Sequence, residues 1–236
     1  MPAPAHPDSA LNTDERGAGL ALLPVAATIH YYALPESLQN QPLLQFAPQL
    51  IGYLAFGLWA AQNGSRIARL GLSPSNLRRG AKLGLITGVA LGCINTVVIL
   101  GLVPSLGWDI TFLAQTPHAR VPVVIMVPWF VSMIALVVEL NFRGFLLGRL
   151  TALESNLWRQ RTLQRLSPLA LLTSALVFSF DPFMVVTFRH LHWIALWDGV
   201  VWGLLWLIAR NLYATIVAHA VEVILVYSAV RVALMA

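Results

Sequence analysis

Long apolar runs separated by short polar stretches dominate the hydrophobic pattern of this 236-residue chain. A helix needs about 20 apolar residues to cross a bilayer. Runs of that order, bounded by charge, proline or glycine, lie at 18–34, 43–62, 80–104, 121–148, 167–187, 191–209 and 212–235. Backbone groups in lipid must pair within their own segment, and no run alternates like a barrel strand. The pattern therefore predicts an all-α fold, a polytopic transmembrane helical bundle of roughly seven to eight helices.

The composition points to the same class of protein. Hydrophobic residues make up 58% of the chain and charged residues only 11%, with a mean hydropathy of +0.72. A soluble domain has about 25% charged residues, so these values exclude a soluble enzyme and a disordered chain. The single cysteine, Cys93, excludes an internal disulfide and a multi-cysteine metal site. Because Cys93 lies in an apolar run, we expect it to be buried.

Most of the cations fall in two segments between apolar runs, which bears on topology. One segment contains Arg66, Arg69, Arg78, Arg79 and Lys82, and the other contains Arg143, Arg149, Arg159, Arg161 and Arg165. Basic clusters of this kind are typical of cytoplasmic loops, whereas a nucleic-acid partner would need a basic face on a soluble module. We therefore expect an integral protein of a bacterial inner (plasma) membrane, in contact with membrane lipids, with no nucleic-acid partner. Residues 1–16 are predicted to be a disordered cytoplasmic tail and 17–236 a single transmembrane domain.

A charged group inside a span costs several kcal/mol unless it is paired or faces a cavity, so each one is a candidate for function. The predicted spans contain Glu139, Arg143, Asp181, Asp198, His219 and Glu222, with Asn95 and Asn141 as uncharged companions. Glu139 and Arg143 are spaced i,i+4, and His219 and Glu222 i,i+3, so each pair shares a helix face. At a rise of about 1.5 Å per residue, Glu139, Asp181, Asp198 and His219 fall in one buried layer. Such a layer can hold a water or a metal ion, although a packing salt bridge would also explain Glu139 and Arg143.

Small residues recur every fourth position in the third predicted span. Gly84, Gly88 and Gly92 follow a small-xxx-small spacing. Glycines at this spacing let two helix backbones approach closely. We therefore predict a close helix contact along this face.

Three short motifs carry a family resemblance. They are residues 139–144 (Glu-Leu-Asn-Phe-Arg-Gly), 174–178 (Ser-Ala-Leu-Val-Phe) and 218–220 (Ala-His-Ala). Together they resemble the CAAX-protease and bacteriocin-processing family of intramembrane proteases, also called the Abi family, over residues 70–230. The motifs of that family read Glu-Glu-x-x-x-Arg, Phe-x-x-x-His and His-x-x-x-Asn or Asp.

The resemblance implies a helical bundle around a wet cavity that hydrolyses a peptide bond near the membrane surface. In that scheme a glutamate deprotonates water, and histidines with the third-motif residue stabilise the oxyanion. Glu139 matches the second glutamate, Arg143 the arginine, and His219 the third-motif histidine. Three positions depart from the pattern, because Val138 replaces the first glutamate, Pro182 the second-motif histidine and Val223 the third-motif asparagine.

The sequence thus predicts an intramembrane endopeptidase that acts on a hydrophobic or lipidated peptide. The predicted catalytic set is Glu139, Arg143, His219, Glu222 and Asp181. Of these, Asp181 and Glu222 are added from their chemistry, as substitutes for the missing motif residues. A divalent metal held by Glu139, Asp181, Glu222 and His219 would serve the same purpose, and no other cofactor is expected.

Two other classes of function remain open. Val138 and Pro182 would suit a catalytically inactive family member that acts as a membrane scaffold or maturation factor. A small transporter would use the buried carboxylates as a proton relay. The sequence, however, lacks the paired halves typical of such transporters.

Overall fold

A computed structural model describes residues 15–157 and 166–235 of the chain. Within these ranges every regular element is a helix, and no β-strand occurs. The predicted all-α bundle is therefore confirmed. Most of the predicted tail (1–14) and the cations Arg159, Arg161 and Arg165 lie outside the described residues.

The longer helices follow the apolar runs. They are α1 (Leu22–Tyr32), α2 (Ala47–Gln62), α3 (Leu77–Val97), α4 (Val123–Trp129), α5 (Gly148–Leu157), α6 (Pro168–Ser179), α7 (Pro182–Phe188), α8 (Trp193–Ala209) and α9 (Leu212–Met235). Wider π-helical turns continue α3 at Val98–Leu102, continue α4 at Phe130–Val137 and precede α5 at Leu140–Leu147. Single-turn α-helices lie at Glu36–Gln39, Pro42–Gln45, Arg66–Arg69, Val103–Ser105 and Pro117–Arg120. Short 3-10 turns lie at Ala18–Ala21, Pro74–Asn76, Thr111–Gln115 and Arg189–Leu191.

Three helical stretches of the described chain are long and apolar enough to cross a membrane. They are Arg66–Ser105, Val123–Ser155 and Leu212–Met235. Pro168–Ser179 and Pro182–Leu191 make a fourth if the pair, bent by 54°, counts as one span. The apolar helices Ala18–Tyr32 and Trp193–Ala209 are shorter. The structure therefore supports three or four spans, and the count of seven to eight stays a prediction.

Close packing of α3 against α9 depends on glycine. A Cβ added at Gly84 would lie 2.5 Å from the carbonyl oxygen of Ala214, and one added at Gly88 would lie 2.6 Å from that of Ala218. Because both obstacles are backbone atoms, only glycine lets the two helices approach this closely. The predicted contact is confirmed, and it places the inner face of α3 against the helix that carries His219.

The expectation that Cys93 is buried is wrong. The cysteine is exposed on α3, whereas Gly92 and Asn95 on the same helix are buried. Successive helical residues are rotated by about 100°, so Cys93 falls on the outward face even though its neighbours face the bundle.

Glu15 attaches the start of the described chain to the bundle. Its carboxylate forms ion pairs with Arg69, at 3.3 Å, and with Arg149. It also accepts a hydrogen bond of 2.8 Å from Nε1 of Trp59, which is fully buried. The side chain of Glu15 is only 9% exposed. Glu15 therefore packs as part of the bundle, although it lies within the range predicted to be the tail.

Candidate active site

A cavity of about 550 Å³ lies between α8, α9 and the π-helical turns that continue α4 at Phe130–Val137, and α2, α6 and α7 also contribute to its walls. Its walls are mostly aromatic and aliphatic side chains. The polar side chains on its walls are Gln49, Tyr53, Thr116, His118, Asp181, His192, Asp198, His219, Glu222, Tyr227 and Arg231. A volume of this size, with apolar walls and a few convergent polar groups, is typical of a ligand site.

A buried ion pair stands behind one wall of this cavity. Glu139 is 0% exposed, and its Oε1 accepts a hydrogen bond of 2.9 Å from Nη1 of Arg143, one helical turn later. The same oxygen lies 2.9 Å from Nδ1 of His219 on α9. An ionised Glu139 therefore favours the tautomer with the proton on Nδ1. His219 lines the cavity and Glu139 does not, which leaves Nε2 as the ring nitrogen available to a ligand.

Aromatic rings fix the positions of these charged groups. The ring of His219 stacks on Trp202 with centroids 4.1 Å apart and planes 23° from parallel. The guanidinium of Arg143 lies 4.4 Å from the ring centroid of Phe178 and 5.0 Å from that of Trp202. A cation over a ring face is attracted by the ring quadrupole. The rings therefore hold Arg143 in place as well as covering it.

A second polar group brings α3, α8 and α9 together. Nδ2 of Asn95 donates to both carboxylate oxygens of Asp198, at 3.0 and 3.2 Å, and to Oε1 of Glu222, at 3.0 Å. All three residues are at most 5% exposed. Asp198 precedes Trp202 by one turn, and Glu222 follows His219 by one turn. The two carboxylates therefore occupy the layer next to the histidine.

The family model described as "Rce1-like: Type II CAAX prenyl endopeptidase Rce1-like" matches residues 120–225. The predicted resemblance to the CAAX-protease family is confirmed. No curated protein and no solved structure matches the chain. The chain is thus an integral membrane protein, similar over this range to the CAAX-protease type of membrane endopeptidase.

The matched range contains all the residues predicted for catalysis. Glu139, Arg143 and His219 form one connected group, and Glu222 lies one turn from His219 on the same helix. Asp198 was named among the intramembrane charges but not in the predicted catalytic set, and Asn95 was named only as a companion. The contact that joins them to Glu222 spans three helices, so no local spacing in the sequence could have indicated it.

Asp181 stands apart from these two groups. Its Oδ1 accepts hydrogen bonds from Nε2 of Gln49 at 2.9 Å and from the backbone N–H groups of Phe183 and Met184, at 3.1 and 3.4 Å. These are the contacts of a residue that caps the N-terminus of a helix, here α7. Asp181 also lines the cavity, and its catalytic role stays a prediction.

Two of the three positions that depart from the CAAX-protease motifs face the cavity. Val138 and Val223 line it, whereas Pro182 is buried at the start of α7. The cavity thus presents methyl groups where the family pattern has a glutamate and an asparagine. Two of its acidic groups, Asp181 and Glu222, come instead from the positions next to Pro182 and Val223.

Two histidines on the cavity wall were not predicted as site residues. His192 lines the cavity, with Nδ1 2.6 Å from the carbonyl oxygen of Arg189. His118 lies just before the apolar run 121–148, so it was not counted among the charged groups inside the predicted spans. Burial lowers the pKa of His118, which favours its neutral form.

A metal ion does not fit the residues of the site. Among residues 15–157 and 166–235, no group of three or more His, Cys, Asp or Glu side chains is placed to hold one. Within the predicted set, Glu139 shares Oε1 between Arg143 and His219, while Asp181 caps α7. Glu139 and Asp181 are therefore engaged elsewhere, and the two remaining predicted ligands, His219 and Glu222, are too few to hold a metal ion.

Proposed function

We propose that the chain is an intramembrane endopeptidase of the CAAX-protease type, which cleaves a peptide bond near the membrane surface with a water activated by Glu222. The observation that carries this proposal is that His219, Glu222 and Asp198 line one cavity with largely apolar walls. Those walls suit a hydrophobic or lipidated peptide. The basic segments between apolar runs support an inner-membrane location with a cytoplasmic N-terminus.

In this proposal Glu139 and Arg143 are positioning residues. Glu139 is sealed from the cavity, so it acts on the water only through His219. With the proton of His219 on Nδ1, Nε2 accepts a hydrogen bond from the water and orients it. The carboxylate of Glu222 then takes a proton from that water while its oxygen attacks the peptide carbonyl carbon.

The test uses the full chain reconstituted in liposomes and an internally quenched peptide. The peptide ends in a farnesylated cysteine followed by three residues, two of them aliphatic. Wild type should cleave it, whereas Glu222→Gln and His219→Gln should each lower kcat/KM by about 100-fold or more, the scale of general base catalysis. Glu36→Gln is the matched control, because Glu36 is exposed outside the cavity. Cleavage at the wild-type rate by Glu222→Gln would contradict the proposal.

A second candidate function is a catalytically inactive family member that binds apolar peptide tails. The specific observation in its favour is that Val138 and Val223 line the cavity at motif positions. This candidate predicts that the farnesylated peptide binds with unchanged affinity to wild type, Glu222→Gln and His219→Gln. Mass spectrometry of the incubated peptide would then find no new termini with any of the three proteins.

A further inference from the structure

The carboxylates of Asp198 and Glu222 share a single neutral partner. Among the described residues, Asn95 alone donates a hydrogen bond to either carboxylate. Arg143 interacts electrostatically with Asp198 but forms its ion pair with Glu139. Two negative charges this close in a poorly solvated site are strongly unfavourable unless one of them binds a proton.

Two polar atoms, one on Glu222 and one on the adjacent His219, are free to bind a ligand. His219 and Glu222 are 4% and 5% exposed, and both line the cavity. Within the described chain, Nε2 of His219 and Oε2 of Glu222 have no hydrogen-bond partner, and neither is among the atoms sealed from solvent. Both atoms therefore reach the cavity, where a water or a peptide carbonyl can meet them.

We propose that Asp198 and Glu222 form one acid–base pair that holds a single proton, with Asn95 as the residue that positions both carboxylates. This inference rests on the endopeptidase function proposed above and names the acid that it requires. Glu222 acts as the ionised base, because its Oε2 is free and reaches the cavity beside His219, whereas both oxygens of Asp198 accept hydrogen bonds from Asn95. Asp198 carries the proton.

The proton transfers balance over one cleavage. Ionised Glu222 takes a proton from water, and the water oxygen bonds to the peptide carbonyl carbon. The carbon–nitrogen bond then breaks, and the leaving nitrogen takes the proton of Asp198. The products are a carboxylic acid and an amine. The proton on Glu222 returns to Asp198 before the next cycle, so that no cofactor is consumed.

The charged and titratable groups around the pair come from several elements. The π-helical turns before α5 contribute Arg143, with Glu139 directly before them, α9 contributes His219, and the break between α6 and α7 contributes Asp181. The same cavity is also lined by Tyr53, His118, His192, Tyr227 and Arg231. From α3 the neutral Asn95 donates hydrogen bonds to the pair. Among the described residues, none of these groups other than Asn95 donates a hydrogen bond to either carboxylate. One of the two carboxylates therefore still needs a proton.

Infrared spectroscopy of the full chain in liposomes tests the shared proton without any substrate. We expect wild type at neutral pH to show the carbonyl stretching band of a protonated carboxylic acid, which shifts in heavy water. The band should vanish in the double variant Asp198→Asn with Glu222→Gln and persist in Asp181→Asn, the control for the other cavity carboxylate. Both amide replacements are nearly isosteric, so the fold should be retained. If wild type shows no such band, or if its band is unchanged in the double variant, the inference is overturned.

The cleavage assay tests the division of roles. Asp198→Asn should lower kcat by about 100-fold and remove the falling limb of the pH–rate profile, which reports the general acid. Asn95→Leu should lower kcat with little change in KM, because Asn95 does not line the cavity. If Asp198→Asn cleaves the peptide as fast as wild type, Asp198 is not the general acid and the proposed acid–base pair is wrong, whereas the endopeptidase proposal is retained. If wild type shows the band but cleaves nothing, the endopeptidase proposal fails and the shared proton stands.

Discussion

Replacing Glu139 with glutamine should strongly destabilise the fold, because it leaves Arg143 charged and buried without its counter-ion. The side chains are 0% and 1% exposed, and the paired atoms are 2.9 Å apart. At an effective dielectric constant of about 20, their attraction is about 6 kcal/mol. Removing one partner of a buried pair typically costs about 3–5 kcal/mol. Glutamine still accepts a hydrogen bond, so we expect a loss of about 3 kcal/mol in the free energy of unfolding.

A double-mutant cycle separates the ion pair from the packing around it. Glu139→Gln, Arg143→Met and the double variant would be unfolded from lipid–detergent micelles with a denaturing detergent, with helicity followed by circular dichroism. The double variant should be less destabilised than the sum of the singles by about 1–3 kcal/mol, because neither charge is then left alone. Glu36→Gln controls for the loss of an acid at an exposed site.

A small effect of Glu139→Gln, or an additive cycle, would contradict this prediction. If Glu139→Gln costs less than about 1 kcal/mol, or the cycle is additive within about 0.5 kcal/mol, the two charges do not stabilise each other. Glu139 and Arg143 would then not be the structural support of His219 that the proposed mechanism requires.

Two further predictions address packing and titration. Gly88→Ala should destabilise the protein by about 1–3 kcal/mol in the same unfolding assay, because the added Cβ would meet the backbone of α9. Gly57→Ala is the control. Nothing lies within 4 Å of a Cβ added there, so this change should be neutral or slightly stabilising. Hydrogen bonds from the side chain and then the backbone of Thr111 lower the pKa of Asp109. This contribution to stability is therefore present above the ordinary carboxyl pKa and lost as the pH falls through the lowered one. Thr111→Val should raise the pKa of Asp109 in a carboxyl NMR titration, and an unchanged value would contradict the assignment.

The sequence predicted the helices because the bilayer leaves the backbone few choices. Apolar runs became helices, and the spacing of Gly84, Gly88 and Gly92 indicated the close contact with α9. Periodicity over a whole run did not resolve which side Cys93 faces. Nor did it separate helices long enough to span from those that are shorter, such as α8, since run length and helix length differ where a turn or a proline intervenes.

The candidate site was predictable where its contacts are local. The i,i+4 spacing of Glu139 and Arg143 was enough to predict their ion pair. The bridge through Asn95 joins residues 103 and 127 positions apart. This bridge exists only because α3, α8 and α9 pack together. Residue spacing could therefore identify Asn95, Asp198 and Glu222 as polar residues inside the membrane, but it could not predict that they contact each other.

The ion pairs of Glu15 place the N-terminal edge of the folded unit earlier than the first apolar run. Proteolysis on the C-terminal side of Glu15 would remove the carboxylate shared by Arg69 and Arg149, whose side chains are each only 5% exposed. Arg149, whose guanidinium lies 4.3 Å from the ring centroid of Trp59, would then lose this ion pair. Affinity tags and cleavage sites for purification therefore belong upstream of residue 15, and an intact terminus should be verified by mass spectrometry before any stability is compared.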